Sequence, residues 1–402
     1  MKKTLFVLVA AMLVFTTILT GCEVKEKETG DNEAVNSELI AYNESLEAAL
    51  EEFEPKADLD KEVLATVNGL PVSAAAVRYT SIYEESTKTY YPDMTDEEIK
   101  TDIENYYKQN AALVTLAFEK GIELSETDIT TIKANITGFK MQYGDEYDAV
   151  FADSPYTKFN YFLSYSIYSP LFTKLCDLYM EDTESDIAKA AKEETLAQLT
   201  NGDYVRAKHI LIQFPTGEGE NGELTDEQKQ ATLDKANEVL AKVNAMGDIS
   251  EFDALITEYN EDPGMQTYTD GYFFGKGEMV PEFEESAFTL EVGATSGLVE
   301  TSYGYHILLK LPLDDEFVLN SELYSETFNA AVSQKVNDYL IELGNSFEIK
   351  YADNHDARVA QFKEEYNTML AEDEAAAKAA EEETVVVEEE TVVEEETAEA
   401  AE

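Results

Sequence analysis

Val205-Arg206-Ala207-Lys208-His209-Ile210-Leu211-Ile212 alternates in polarity and is rich in β-forming residues, so it reads as a strand that carries a histidine. A polar, Gly-containing loop follows from Pro215 to Glu223. Thr225-Asp226-Glu227-Gln228 has the form of a capping box and opens a helix to about Met246; a second helix covers about 250–259. Asn260-Glu261-Asp262-Pro263-Gly264 is rich in turn formers, and Asp270-Gly271-Tyr272-Phe273-Phe274 reads as a short strand. After Gly275-Lys276-Gly277, Pro281 suits the first turn of a helix holding Phe283, Ala287 and Phe288. Gly297-Leu298-Val299-Glu300-Thr301 and Gly304-Tyr305-His306-Ile307-Leu308-Leu309-Lys310 read as two strands joined by a short turn. The order strand, helices, strand, helix, strand, strand predicts an α+β domain over residues 203–312, a small antiparallel sheet flanked by helices.

Four segments of this stretch stand in one order: Ala207-Lys208-His209-Ile210-Leu211, Gly277-Glu278-Met279-Val280-Pro281-Glu282-Phe283-Glu284, Ala287-Phe288-Thr289-Leu290-Glu291-Val292-Gly293, and Thr301-Ser302-Tyr303-Gly304-Tyr305-His306-Ile307. In residues, order and spacing they resemble the parvulin family of peptidyl-prolyl isomerases. The resemblance implies an X-Pro segment bound at a shallow apolar site, without a cofactor. It places His209 and His306 as the family's hydrogen-bonded histidine pair, and Asp262 where parvulins carry Cys or Asp near the substrate carbonyl. These three are the catalytic candidates. Met279 and Phe283 correspond to walls of the proline pocket, Phe274 to a third wall, and Thr301 and Tyr303 to positions around the histidines. One segment departs from the family. Parvulins commonly carry Gly-Asp-Leu-Gly where this chain has Thr269-Asp270-Gly271-Tyr272, so Gly271 replaces a pocket Leu and either Tyr272 or Tyr268 is left to fill the space.

Rotation about X-Pro faces a barrier of about 18–20 kcal/mol and breaks no bond. A catalyst must therefore bind the twisted amide better than either planar isomer. Met279 and Phe283, about one helical turn apart, can grip a proline ring. Asp262 is an electrostatic or hydrogen-bonding neighbour rather than a nucleophile, and the histidines fix each other's tautomers in a supporting role. Plainer roles compete: strand histidines are often structural, Asp262 before Pro263-Gly264 suits a turn, and Met279 and Phe283 suit a core. The ordered motifs favour the site. Glu218, Glu220 and Glu223, with no Lys or Arg, occupy the loop where phosphate-directed parvulins are basic, so no preference for phosphorylated substrates is expected.

Outward from this domain, helical patterns run through about 37–53, 74–90, 95–120, 126–142 and 157–199. Thr95 and Ser125 open capping-box-like starts, and Gly121 reads as a stop. Asn68-Gly69 between apolar runs marks a tight turn. The Val67-Asn68-Gly69 segment and the Ala117–Ser125 segment resemble the chaperone lobe of PrsA-like and SurA-like foldases. In those families a later helix packs back on the lobe, a role suited to residues 319–343, where Phe317, Leu319, Leu323, Phe328, Ala331, Val336, Leu340 and Leu343 make an apolar stripe.

The ends are an address and a charge. Leu5 to Leu19 is an apolar stretch after Lys2-Lys3, and Leu19-Thr20-Gly21-Cys22 resembles a bacterial lipobox, which predicts a removed signal (1–21), lipidation at Cys22 and a polar tether (22–36). A helical lobe (37–202), the isomerase domain (203–312) and C-terminal helices packing back (313–371) follow, and then an acidic tail (372–402) expected to be disordered. The formal charge of −55 argues against nucleic-acid partners and favours basic ones. Two cysteines exclude a disulfide framework, and three histidines with no ligand spacing leave no metal site. Cys176 reads as a small helix residue and His355 as exposed. The functional expectation is a lipid-anchored, extracytoplasmic isomerase and chaperone for unfolded exported proteins. The alternatives are a holdase whose parvulin fold is inactive, and an adhesive or spacer lipoprotein.

Overall fold

The computed structural model describes residues 32–152, 154–218 and 223–399; the signal-like segment and Cys22 lie outside them. The lobe is built of helices Asn32–Glu51, Ala74–Tyr90, Asp96–Glu119, Glu126–Tyr143, Ser169–Glu181 and Asp186–Thr200, with shorter turns between them. Thr95 and Ser125 each accept from the backbone of their third helical residue, whose carboxylate returns the bond, so both predicted capping boxes form. Gly121, at φ 66°, follows the helix that Thr95 opens and stands in the left-handed region, and Ile122 N–H reaches back to the Ala117 carbonyl at 2.9 Å.

The pattern expected as one helix over 157–199 is broken. Leu163–Tyr168 forms a π-helical segment, and the chain turns after Glu181 before Ser185 caps the next helix. The tether also ends sooner than predicted, because the first helix begins at Asn32.

A three-stranded sheet closes the lobe. β1 (Val63–Val67) and β2 (Leu70–Ser73) form a hairpin across Asn68-Gly69, both with positive φ (50° and 80°), as a two-residue turn of this hand demands. The other neighbour of β1 is β7 (Ile349–Tyr351), nearly 300 residues later in the chain. Helix Glu322–Asn345 leads into it and buries Val332, Val336 and Leu340 in the lobe core. Gly344 permits that packing: a Cβ there would stand 3.0 Å from the Lys108 carbonyl oxygen. The lobe is thus completed by both sides of the chain, with the intervening domain carried between.

That domain holds β3 (Tyr204–Gln213), β4 (Tyr272–Gly275), β5 (Val299–Glu300) and β6 (Gly304–Leu311), antiparallel in the order β4-β3-β6-β5. Strand alternation splits its core. Ile210, Ile212, Tyr305, Ile307 and Leu309 pack under helices Asp226–Asn244 and Glu251–Tyr259. Val205, Ala207, Phe274 and Leu308 face helix Pro281–Thr289. The strand predicted over 297–301 pairs only at Val299 and Glu300.

The last helix begins at His355. One further expectation is corrected. His355 is half-buried against the Tyr351 ring (centroids 4.4 Å apart) rather than exposed. Cys176 is buried in the lobe core.

Candidate active site

The pleat of β3 and β6 sets the site. His209 stands opposite Leu308 and Leu211 opposite His306, so the two histidines lie on one face, one register step apart. Their rings stack at 5.1 Å and 13°, and the two Nδ1 atoms are 2.9 Å apart. His209 Nε2 lies 2.7 Å from Asp262 Oδ2, and Thr301 Oγ1 lies 2.9 Å from His306 Nε2. Gly264 N–H donates to Asp262 Oδ1 at 3.0 Å, and the Tyr272 hydroxyl donates to Oδ2 at 2.8 Å.

The donors and acceptors fix a direction. An ionised Asp262 only accepts, so His209 carries its hydrogen on Nε2 and its Nδ1 accepts from His306 Nδ1–H. His306 Nε2 then accepts from the Thr301 hydroxyl, whose oxygen takes the Tyr303 N–H at 3.1 Å. The electrostatics agree. The hydrogen bond from His209 holds the Asp262 carboxyl far below the usual carboxylate range, with Gly264 and Tyr272 adding to it against partial burial. Burial, and then the neighbouring His209, push His306 down to about 4, so it is neutral at pH 7. Burial, and then the Asp262 carboxylate, push the Tyr272 hydroxyl up.

Phe283 lies beneath this chain, nearly perpendicular to both histidine rings at 5.1 and 5.4 Å. Among the described residues, no group of three or more His, Cys, Asp or Glu could hold a metal.

Residues 188–310 match the family model of the PPIC-type PPIASE domain. This segment is a parvulin-type domain. Over 212 residues the chain is 32% identical to the foldase protein PrsA of Halalkalibacterium halodurans, across 44% of this chain and 62% of that relative's length. Over 296 residues it is 27% identical to the foldase protein PrsA of Caldanaerobacter subterraneus subsp. tengcongensis, across 69% of this chain and 84% of the relative. The crystal structure of PrsA from Bacillus subtilis is 24% identical, over 70% of this chain and 93% of that one, with a TM-score of 0.25. The chain is PrsA-like around its parvulin-type domain.

Within the parvulin-type domain, His209, His306, Asp262 and Thr301 come together as one hydrogen-bonded chain. Met279 is half-buried beside Phe283. Phe274 and Phe283 are only 1% and 3% exposed, so they back the socket, and its open surface is left to Met279 and Tyr272. Tyr303 reaches the chain through its backbone N–H, while its side chain is 56% exposed.

Two residues escaped the sequence reading. Asn260 Oδ1 accepts from Leu211 N–H (2.9 Å) and Asp262 N–H (3.2 Å), and so ties the Asp262 turn to β3. Its only signal was a place in a turn-rich stretch. Tyr272 was legible as a filler of space, but not as a hydrogen-bond donor to Asp262.

Proposed function

We propose that this chain is a foldase whose parvulin-type domain speeds rotation about X-Pro bonds of unfolded polypeptides, while the lobe holds them. The observation that carries this reading is the unbroken chain from Asp262 through His209 and His306 to Thr301, beside Met279 and Phe283. Met279 grips the prolyl ring, backed by the buried Phe283. Asp262 acts on the carbonyl whose bond order falls as the amide twists, and the histidines hold Asp262 and the shape of the site. No covalent step is required.

Further parts of the proposal come from the chain ends and the charge. Lipidation at Cys22 places the protein on the outer face of a bacterial membrane, where exported chains emerge unfolded. The charge of −55 favours basic clients and disfavours nucleic acid. A holdase with an inactive parvulin fold is the second reading, favoured by the burial of Phe274 and Phe283, which leaves little open socket.

A protease-coupled assay on an Ala-Pro peptide decides between them. Wild-type activity that Asp262→Ala and Met279→Ala both abolish supports the isomerase. An inactive wild type that still suppresses client aggregation establishes the holdase.

A further inference from the structure

Tyr272 opens β4 opposite Ala207, on the face that carries His209, with ring centroids 5.7 Å apart. Its hydroxyl and His209 Nε2–H meet on one oxygen, Asp262 Oδ2, at 2.8 and 2.7 Å. Two glycines make the arrangement fit. Gly271, at φ 97°, runs so close to β3 that a Cβ would stand 3.1 Å from the Ala207 carbonyl oxygen. Gly264 leaves the hydroxyl its space, because a Cβ there would collide with the Tyr272 hydroxyl. The same Gly264 gives its N–H to Oδ1.

The consequence is electrostatic and directional. With Tyr272 and Gly264 both donating, Asp262 is favoured as the ion, and His209 must keep its hydrogen on Nε2. If Asp262 took up a proton and donated it to His209 Nε2, His209 Nδ1–H would point at His306, and His306 Nε2–H at Thr301. Every bond in the chain would reverse. The titratable groups around Asp262 are His209 on β3, Tyr272 on β4, His306 on β6, and Tyr268, whose ring lies 5.1 Å from that of Tyr272.

We propose that Tyr272 is a positioning residue of this site: its hydroxyl anchors the Asp262 carboxylate and so sets the direction of the Asp262–His209–His306–Thr301 chain. Its effect on rate rests on the isomerase reading above; its effect on the direction of the chain does not.

The test is Tyr272→Phe in the full-length protein, which keeps the ring and removes one oxygen. Carbon-13 titration of the Asp262 carboxyl and nitrogen-15 spectra of the two imidazoles read the chain directly. The Asp262 midpoint rises by about one pH unit, and near neutral pH the nitrogen-15 shifts of His209 Nε2 and of the two Nδ1 atoms move toward those of a chain with a less fixed direction. On the Ala-Pro peptide, kcat/KM falls about tenfold, and the acid limb of its pH profile moves up by the same interval. Gly264→Ala, which displaces the hydroxyl, reproduces these changes and adds little to Tyr272→Phe; each variant also stands in should the other lose its fold. An unchanged carboxyl titration and unchanged imidazole spectra in folded Tyr272→Phe overturn the proposal. A wild type that does not isomerise, with the spectral changes present, defeats the isomerase reading and leaves the role of Tyr272 standing.

Discussion

His306 couples the site to pH. It is buried and held neutral, its pKa pushed down to about 4 by burial and His209, whereas in an unfolded chain it titrates near 6.5. Between those values the unfolded state binds a proton that the folded state does not. Stability is therefore highest above about pH 6.5 and falls as pH drops toward 4, by up to about 1.4 kcal/mol per unit. The depressed Asp262 acts in the same direction at lower pH, below about 3.8, because its unfolded form takes up the proton first. Hydrogen exchange at the Ile210 and Ile307 amides is expected to speed up from pH 7 to pH 5 after correction for intrinsic rates. His306→Gln is expected to remove most of that excess; an equal excess in the variant would place the sensitivity elsewhere. Asp262→Asn keeps the shape but replaces the anion that His209 and Tyr272 both address. Loss of a charge-assisted bond to a partly buried partner costs about 1.5–3 kcal/mol, so a roughly tenfold or greater drop in isomerase rate is expected in the peptide assay.

The β3–β4 pair shows how an element can absorb a departure from a family pattern. Gly271 stands where a pocket Leu is common, yet its φ of 97° and its approach to the Ala207 carbonyl suit glycine and penalise any side chain. The wall is supplied by the next residue, Tyr272. Gly271→Leu is therefore expected to destabilise the domain by about 1–3 kcal/mol and to leave the isomerase rate no higher, as thermal unfolding and the peptide assay will show. A gain in both would mean that the turn relaxes to accept a side chain. Helix Glu322–Asn345 depends on a comparable contact: Gly344 meets the Lys108 backbone. Gly344→Val is expected to push the helix off the lobe at a cost of about 1–3 kcal/mol. Faster exchange in β7 than in β6 would locate that damage in the lobe.

Across the whole molecule, the lobe is made from two distant stretches of chain, joined where β7 pairs with β1, while Arg206 of the parvulin-type domain stacks on Phe317 at 3.6 Å. The acidic C-terminal stretch contributes charge at the far end of the last helix. Truncation after Leu370 is expected to leave the isomerase rate unchanged and to weaken capture of a basic unfolded client at low salt, with the difference vanishing near 0.5 M salt as screening shortens the reach of charge. A client affinity that is equal at low salt would remove the stretch from client binding. The sequence by itself determined the parvulin-type domain: strand alternation around His209 and His306, capping residues and glycine turns are local signals, and four motifs stood in order. It also marked the tight turn at Asn68-Gly69 and the apolar stripe of a late helix; the return of that helix to the lobe was implied by the family resemblance and decided by the packing of Val332, Val336 and Leu340. Only the tertiary structure decided that Ile349–Tyr351 is a strand, because three residues hold no period and gain their form from β1. It alone decided that Phe274 and Phe283 are buried backing rather than open walls, since both aromatic packing and a binding pocket select the same residue types. And it alone brought the Tyr272 hydroxyl to Asp262, because a hydrogen bond between side chains ten residues apart depends on the path of the turn between them, which no residue in that turn specifies alone.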